Sequence, residues 1–222
     1  MKAHVAIEPE TGILTAVELT PANTADAAVG VELLDGERPG LQVLADSTYG
    51  SGEALAALAH AGHSRAVKPH PLLTAVPGGI DRDDFVVDTA AGTSTCPAGH
   101  TVRLTQARRA VFGALCRACP LRGRCTRRKG GRVLHLHLFD AELVESRRAW
   151  RDGDFADDYR RWRLMVERSI AWLVAKGNRR CRFRGVQANR LGLSPRAAAI
   201  NLRRLVNLGL TRRRGKWELQ LA

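Results

Sequence analysis

The sequence predicts an α/β fold interrupted by a cysteine-rich insertion. Three observations carry this. The first seventy residues read as strand, strand, helix, strand, helix, strand; four of the five cysteines crowd between Cys96 and Cys125; and helical periodicity returns after residue 150. The resulting division is 1–70 for the first part of the core, 71–150 for the insertion, and 151–222 for a helical part with a basic tail.

Residues 2–8 (KAHVAIE) and 13–19 (ILTAVEL) are strand-like, and Pro9, Glu10, Thr11 and Gly12 between them supply turn chemistry, so the pair forms a β-hairpin. Residues 24–35 read as a helix capped by Thr24, with Ala27, Ala28, Val31 and Leu34 on its apolar side. The run LQVLA, residues 41–45, is a short apolar strand that leads directly into Asp46. A helix over 51–62 follows, and then a short strand near 64–68.

From Pro71 the pattern loosens into Pro, Gly and the acids Asp81, Asp83 and Asp84, ahead of the cysteine segment. Residues 154–176 are strongly periodic, with Trp162, Met165, Val166, Ile170 and Leu173 marking a packed face. A last helix over 195–208 is opened by Ser194 and Pro195, as helix starts prefer.

Composition narrows the function. At 222 residues and 45% hydrophobic, the chain can bury a sizeable core. No apolar run approaches the ~20 residues of a membrane-spanning helix, and the amino terminus has no signal-peptide pattern, so a cytoplasmic location is expected. The 35 Lys and Arg against 22 Asp and Glu give a net charge of +13, concentrated after residue 100. Such a surface is expected to bind nucleic acid by releasing counterions from phosphates, the alternative being an arginine-rich coding bias.

Asp46, at a strand's carboxyl end, occupies the place where open sheets gather reactive groups, although an Asp there also simply caps the following turn. Glu167 borders the packed face of its helix, where a carboxylate can reach toward a second one without heavy desolvation. The alternative is a helix ion pair with Arg163, worth about 0.2–0.5 kcal/mol.

The segments KAHVAIEPETGILTAVELTPANTAD, LADSTYGSG, YRRWRLMVERSIAWL, NRRCRFRG and AAAINLRRLVNLG, in this order, resemble the DDE-type transposases of bacterial insertion sequences. The resemblance implies a ribonuclease H-like mixed sheet, with Asp46 matching the second catalytic Asp and Glu167 the catalytic Glu. Tyr159, Arg163, Glu167 and Lys176 resemble the family's Tyr-Arg-Glu-Lys signature, with altered spacing at its two ends. It further implies Mg²⁺ or Mn²⁺ at the acids, transposon-end duplex DNA as partner, and a homo-oligomer. In that family the first catalytic Asp lies on a strand before the hairpin. Nothing here matches it, and Asp26, at the start of a helix, is in the wrong place. The expectation is a truncated carboxy-terminal piece with little strand-transfer activity, the alternative being an inactive, zinc-stabilised DNA-binding remnant.

Cys96, Cys116, Cys119 and Cys125 form C-x19-C-x2-C-x5-C, with His100, His135 and His137 nearby. This suits a structural Zn²⁺; an iron–sulfur cluster or reduced, unliganded thiols are the other readings. Cys181 is a spectator. Arg160, Arg161, Arg163, Arg168, Lys176, Arg179, Arg180, Arg182 and Arg184, with Trp162, Trp172 and Phe183 interleaved, form a candidate phosphate-binding face, or else a solvated helix surface. Arg212–Arg214 reads as a loose basic tail.

Overall fold

The computed structural model describes residues 1–175 and 178–219. It divides into two compact units: Met1–Lys68 with the residues from Arg148 onward, and Pro69–Arg147.

In the first unit, β1 (Lys2–Glu8) and β2 (Ile13–Thr20) pair antiparallel. The Glu8 carboxylate accepts the backbone N–H groups of Glu10 and Thr11 at 2.9 and 2.8 Å, and Gly12 takes a left-handed φ of 72° to close the turn. The register shifts after Ala6, so that Ile7 faces Leu14. The side-chain amide of Asn201 then bonds both the N–H and the C=O of Leu14 at 2.8 Å, which covers this part of β2 with a helix.

Helix α1 spans Asp26–Glu32, shorter than the expected 24–35. Thr24 does not cap it: Ala25 is the N-cap and makes no side-chain bond, while the Thr24 carbonyl accepts from the Lys2 ammonium at 2.6 Å. Lys2 also pairs with Asp26. β3 (Gln42–Ala45) runs into a 3₁₀ turn, Ser47–Tyr49, and α2 (Gly52–His60) is capped by Ser51, whose hydroxyl accepts the Ala54 N–H. β4 (Ser64–Val67) pairs parallel with β3, the crossover being α2.

The expected single mixed sheet is not what forms. The β1–β2 hairpin and the β3–β4 pair are separate two-stranded sheets. A parallel and an antiparallel pair become one mixed sheet only if their facing edges hydrogen-bond, and here they do not.

The second unit is built from very short strands: β5 (Val86–Asp88), β6 (Thr93–Thr95) and β7 (Thr101–Arg103) in one sheet, β8 (Arg109–Val111) with β9 (Val133–His135) in another, and a single helical turn, α3 (Arg122–Cys125). Phe85 and Phe112, with ring centroids 5.4 Å apart, centre its core. Two ion pairs brace it: Arg82 with Asp140, and Arg147 with Asp83. The boundary between the units falls inside α4 (Asp140–Asp152), a helix not expected from the sequence.

Back in the first unit, α5 covers Ala156–Val174. Leu173 is buried in a small cluster with Leu14 and Leu193, but Ile170, expected on the packed face, is 44% exposed. Helix α6 covers Val186–Asn207 and starts more than two turns before Ser194 and Pro195, which therefore do not open it; Pro195 lies inside the helix. Asn189 organises the real start, bonding the backbone of Arg182, Phe183 and Gly185. Arg212–Arg214 is not a loose tail. Arg212 and Arg213 belong to β10 (Leu210–Arg213), which pairs with β11 (Lys216–Leu219) across a two-residue turn whose Arg214 and Gly215 both have positive φ. Among the described residues, no helix is long and apolar enough to cross a membrane.

Candidate functional site

The hairpin edge, the β3 edge and α5 enclose a cleft of about 450 Å³. Val5 and Ile7 of β1 line one side, Val43 and Leu44 of β3 another, and Trp162, Val166 and Ile170 of α5 a third. The last three recur every fourth residue and so form a stripe along one helix face, which explains why Ile170 is partly exposed: the cleft is open beside it. Among the described strands, β1 pairs only with β2 and β3 only with β4, so each presents an unpaired edge.

Asp46 sits where β3 ends and also lines this cleft. Its Oδ1 accepts the Thr48 N–H at 2.9 Å, so the capping role is present. The carboxylate remains half-buried at the cleft's rim. Beside it, Tyr49 packs so closely on α1 that a Cβ on Gly30 would lie 2.5 Å from its ring. Burial, then the charges of Asp26 and Asp46, push the Tyr49 phenol above its ordinary range. His4 is buried, with Nε2 2.9 Å from the Thr20 hydroxyl and Nδ1 3.4 Å from that of Tyr49, and burial pushes its pKa below the ordinary value.

Glu167 lies on α5 next to Val166, half-exposed, with Oε1 3.0 Å from Arg163 Nε. The helix ion pair is thus formed, and Arg163 also donates to the Tyr159 hydroxyl at 2.8 Å. Tyr159 and Arg163 line the cleft as Asp46 does, whereas Glu167 does not. Lys176, the remaining member of the signature, lies outside the described residues. Among the described residues, no three His, Cys, Asp or Glu side chains stand together as a metal site. Of the two carboxylates that the family resemblance singles out, Asp46 lines the cleft together with Glu8 and Glu37, and oxygen donors of this kind suit a hard divalent ion.

The arginines divide into two kinds. Arg160 is engaged by Asp157, and Arg161 stacks over Trp162 at 4.3 Å. Arg168, Arg179, Arg180, Arg182 and Arg184 are exposed. Sequence reasoning missed Arg203 and Arg204, which stack on Trp172 at 5.1 and 4.2 Å; nothing in their own helix signals a partner on α5. Burial, then Arg168 and Arg203, lower the Arg204 pKa, so positive charge is concentrated there.

In the second unit, Cys96, Cys116, Cys119 and Cys125 all line one small cavity and are all free thiols. Burial raises the Cys125 pKa, opposed by Arg132 and reinforced by the other three cysteines.

The family model described as a transposase DDE domain matches residues 95–206, half of the chain. The chain belongs to the DDE transposase family. The matched segment of this transposase begins one residue before Cys96, holds the four clustered cysteines, and runs through Glu167 to Val206 in the last turn of α6; Asp46 precedes it. Comparisons with curated proteins and with solved structures gave no match.

Proposed function

We propose that this transposase serves an insertion sequence by cutting and joining DNA at transposon ends, with Asp46 and Glu167 as its metal-binding carboxylates. Family membership gives transposition as the process. The observation that supports these residues is the cleft, which has Asp46 on its rim and the helix bearing Glu167 as its wall. The two carboxylates would hold Mg²⁺ or Mn²⁺, and such ions activate a water or 3′-hydroxyl and stabilise the leaving oxygen in attack on a phosphodiester. Glu167 would be free to hold an ion once it releases Arg163, and an exposed helix pair of this kind is worth only about 0.3–0.5 kcal/mol. Arg168, Arg179, Arg180 and Arg184 position the phosphates without reading base sequence.

The same cleft supports a ribonuclease H-like reading. A strand entering between β1 and β3 would satisfy both unpaired edges, join the two small sheets into one, and carry a third carboxylate toward Asp46. Four to seven residues would suffice, the lengths of β3 and β1.

The test is Mg²⁺-dependent nicking of duplex DNA bearing the element's ends, assayed for this chain and for any longer in-frame product that contains it. Nicking that a chelator abolishes supports the proposal. Salt-sensitive DNA binding with no cleavage in either form would instead favour an inactive DNA-binding remnant.

A further inference from the structure

The second unit has a small apolar core that includes Cys116 and Cys125, with Cys96 packed against it. Its strands are three residues each, and of its eight buried core residues two are Cys116 and Cys125 themselves. Small units in this position are usually stapled by disulfides or metal, and here all four cysteines are free. They nevertheless line one cavity of about 20 Å³, room for one water-sized occupant. Phe85 and Phe112 wall it on one side, and His100, Arg122, Thr126 and Arg132 supply polar groups to its lining.

The backbone around the sulfurs is tightly turned. Cys96 opens a tight turn in which the Cys96 N–H donates to the His100 carbonyl and the Gly99 N–H to the Cys96 carbonyl, both at 2.9 Å, with Gly99 at a left-handed φ of 82°. Cys116 and Cys119 have the C-x2-C spacing at the end of a 3₁₀ turn, and Cys125 ends α3. The Cys116 Sγ accepts the Arg132 backbone N–H at 3.4 Å, a bond that strengthens when the sulfur is a thiolate. The Arg132 guanidinium donates to the Cys125 carbonyl at 3.2 Å, which places positive charge beside the sulfurs.

We propose that Cys96, Cys116, Cys119 and Cys125 bind one Zn²⁺ as a tetrahedral tetrathiolate, and that this ion holds the Pro69–Arg147 unit together. The sulfurs border the cavity without closing on its centre, since no three of them already stand as a metal site. Rotation about χ1 is the movement that closes them, to Zn–S distances of about 2.3 Å. The thiols lose their protons on binding. The proposal is independent of whether the chain cuts DNA.

The test uses the full chain, purified without chelating resin. Elemental analysis should find about one zinc per chain, and cobalt substitution should give the intense thiolate-to-cobalt charge-transfer band of a tetrahedral sulfur site. Cys119→Ser should lose the metal, while Cys181→Ser, a change at an exposed thiol outside this unit, should keep it. Should Cys119→Ser fail to fold, chelation of the unaltered chain decides: amide protection should be lost across Pro69–Arg147 and return on adding zinc. Purified protein with no metal and full protection of this unit would overturn the proposal, as would iron with inorganic sulfide in place of zinc.

Discussion

Replacing Arg147 by methionine removes one half of the best-formed ion pair in the cysteine-bearing unit. Arg147 Nε and an η-nitrogen lie 2.9 and 2.7 Å from the two Asp83 oxygens, in the paired geometry that guanidinium and carboxylate favour. The side chains are 13% and 2% exposed, so the methionine variant takes a two-point guanidinium contact away from a buried carboxylate. Breaking such a pair costs about 3–5 kcal/mol. Arg160 with Asp157 is the control: those side chains are 74% and 95% exposed, and a pair of that kind contributes about 0.2–1 kcal/mol. Hydrogen exchange at the β5 and β6 amides reads the difference locally, as the free energy of opening. Arg147→Met should lower it by several kcal/mol, Arg160→Met should leave it unchanged, and a double variant that adds Asp83→Leu should recover much of the loss. An Arg147→Met protein that exchanges no faster than Arg160→Met would refute the reasoning.

Three further outcomes follow from the first unit. Because His4 has its pKa lowered by folding, the unfolded chain takes up the proton first; stability is full above the ordinary value of 6.5 and declines as the pH falls below it. Urea titrations across that range should show this slope, and His4→Gln should flatten it. Gly30→Ala drives a methyl into the Tyr49 ring, costing about 1–3 kcal/mol by overpacking against about 1 kcal/mol gained in helix propensity, so its melting temperature should fall. Arg179→Gln and Arg180→Gln should weaken duplex binding on any sequence, each reducing the slope of log K against log salt by about 0.9 if it neutralises one phosphate.

The early elements were legible because their signals are local. Alternation and the Pro9–Gly12 turn mark the hairpin, and an apolar run ending in Asp46 marks β3. Where the structure departs, a distant or side-chain interaction decides. Thr24 is a sound cap by type, yet the Lys2 ammonium engages its carbonyl and α1 begins two residues later. Ser194 and Pro195 look like a helix start, but Asn189 ties down the backbone upstream and the helix runs through them. Arg212–Arg214 reads as a charge run, and only pairing with Lys216–Leu219 makes part of it a strand.

The candidate site was legible in part. Spacing places Glu167 at the border of a packed helix face and Asp46 at a strand end, but it is the resemblance to DDE transposases that singles these two out. That Asp46 shares a cleft with Tyr159, Arg163 and Val166 depends on how α5 packs, which no local pattern encodes. Nor does any local pattern reveal the stacking of Arg203 and Arg204 on Trp172.

The most direct measurement compares Mg²⁺-dependent cleavage of transposon-end DNA by the active form of the transposase with that of Asp46→Ala, Glu167→Ala and the double variant. Residues acting as one catalytic unit are not additive, so each single change should already remove activity and the second should remove nothing more. Full cleavage by either single variant would contradict the assignment of these two carboxylates to one catalytic centre.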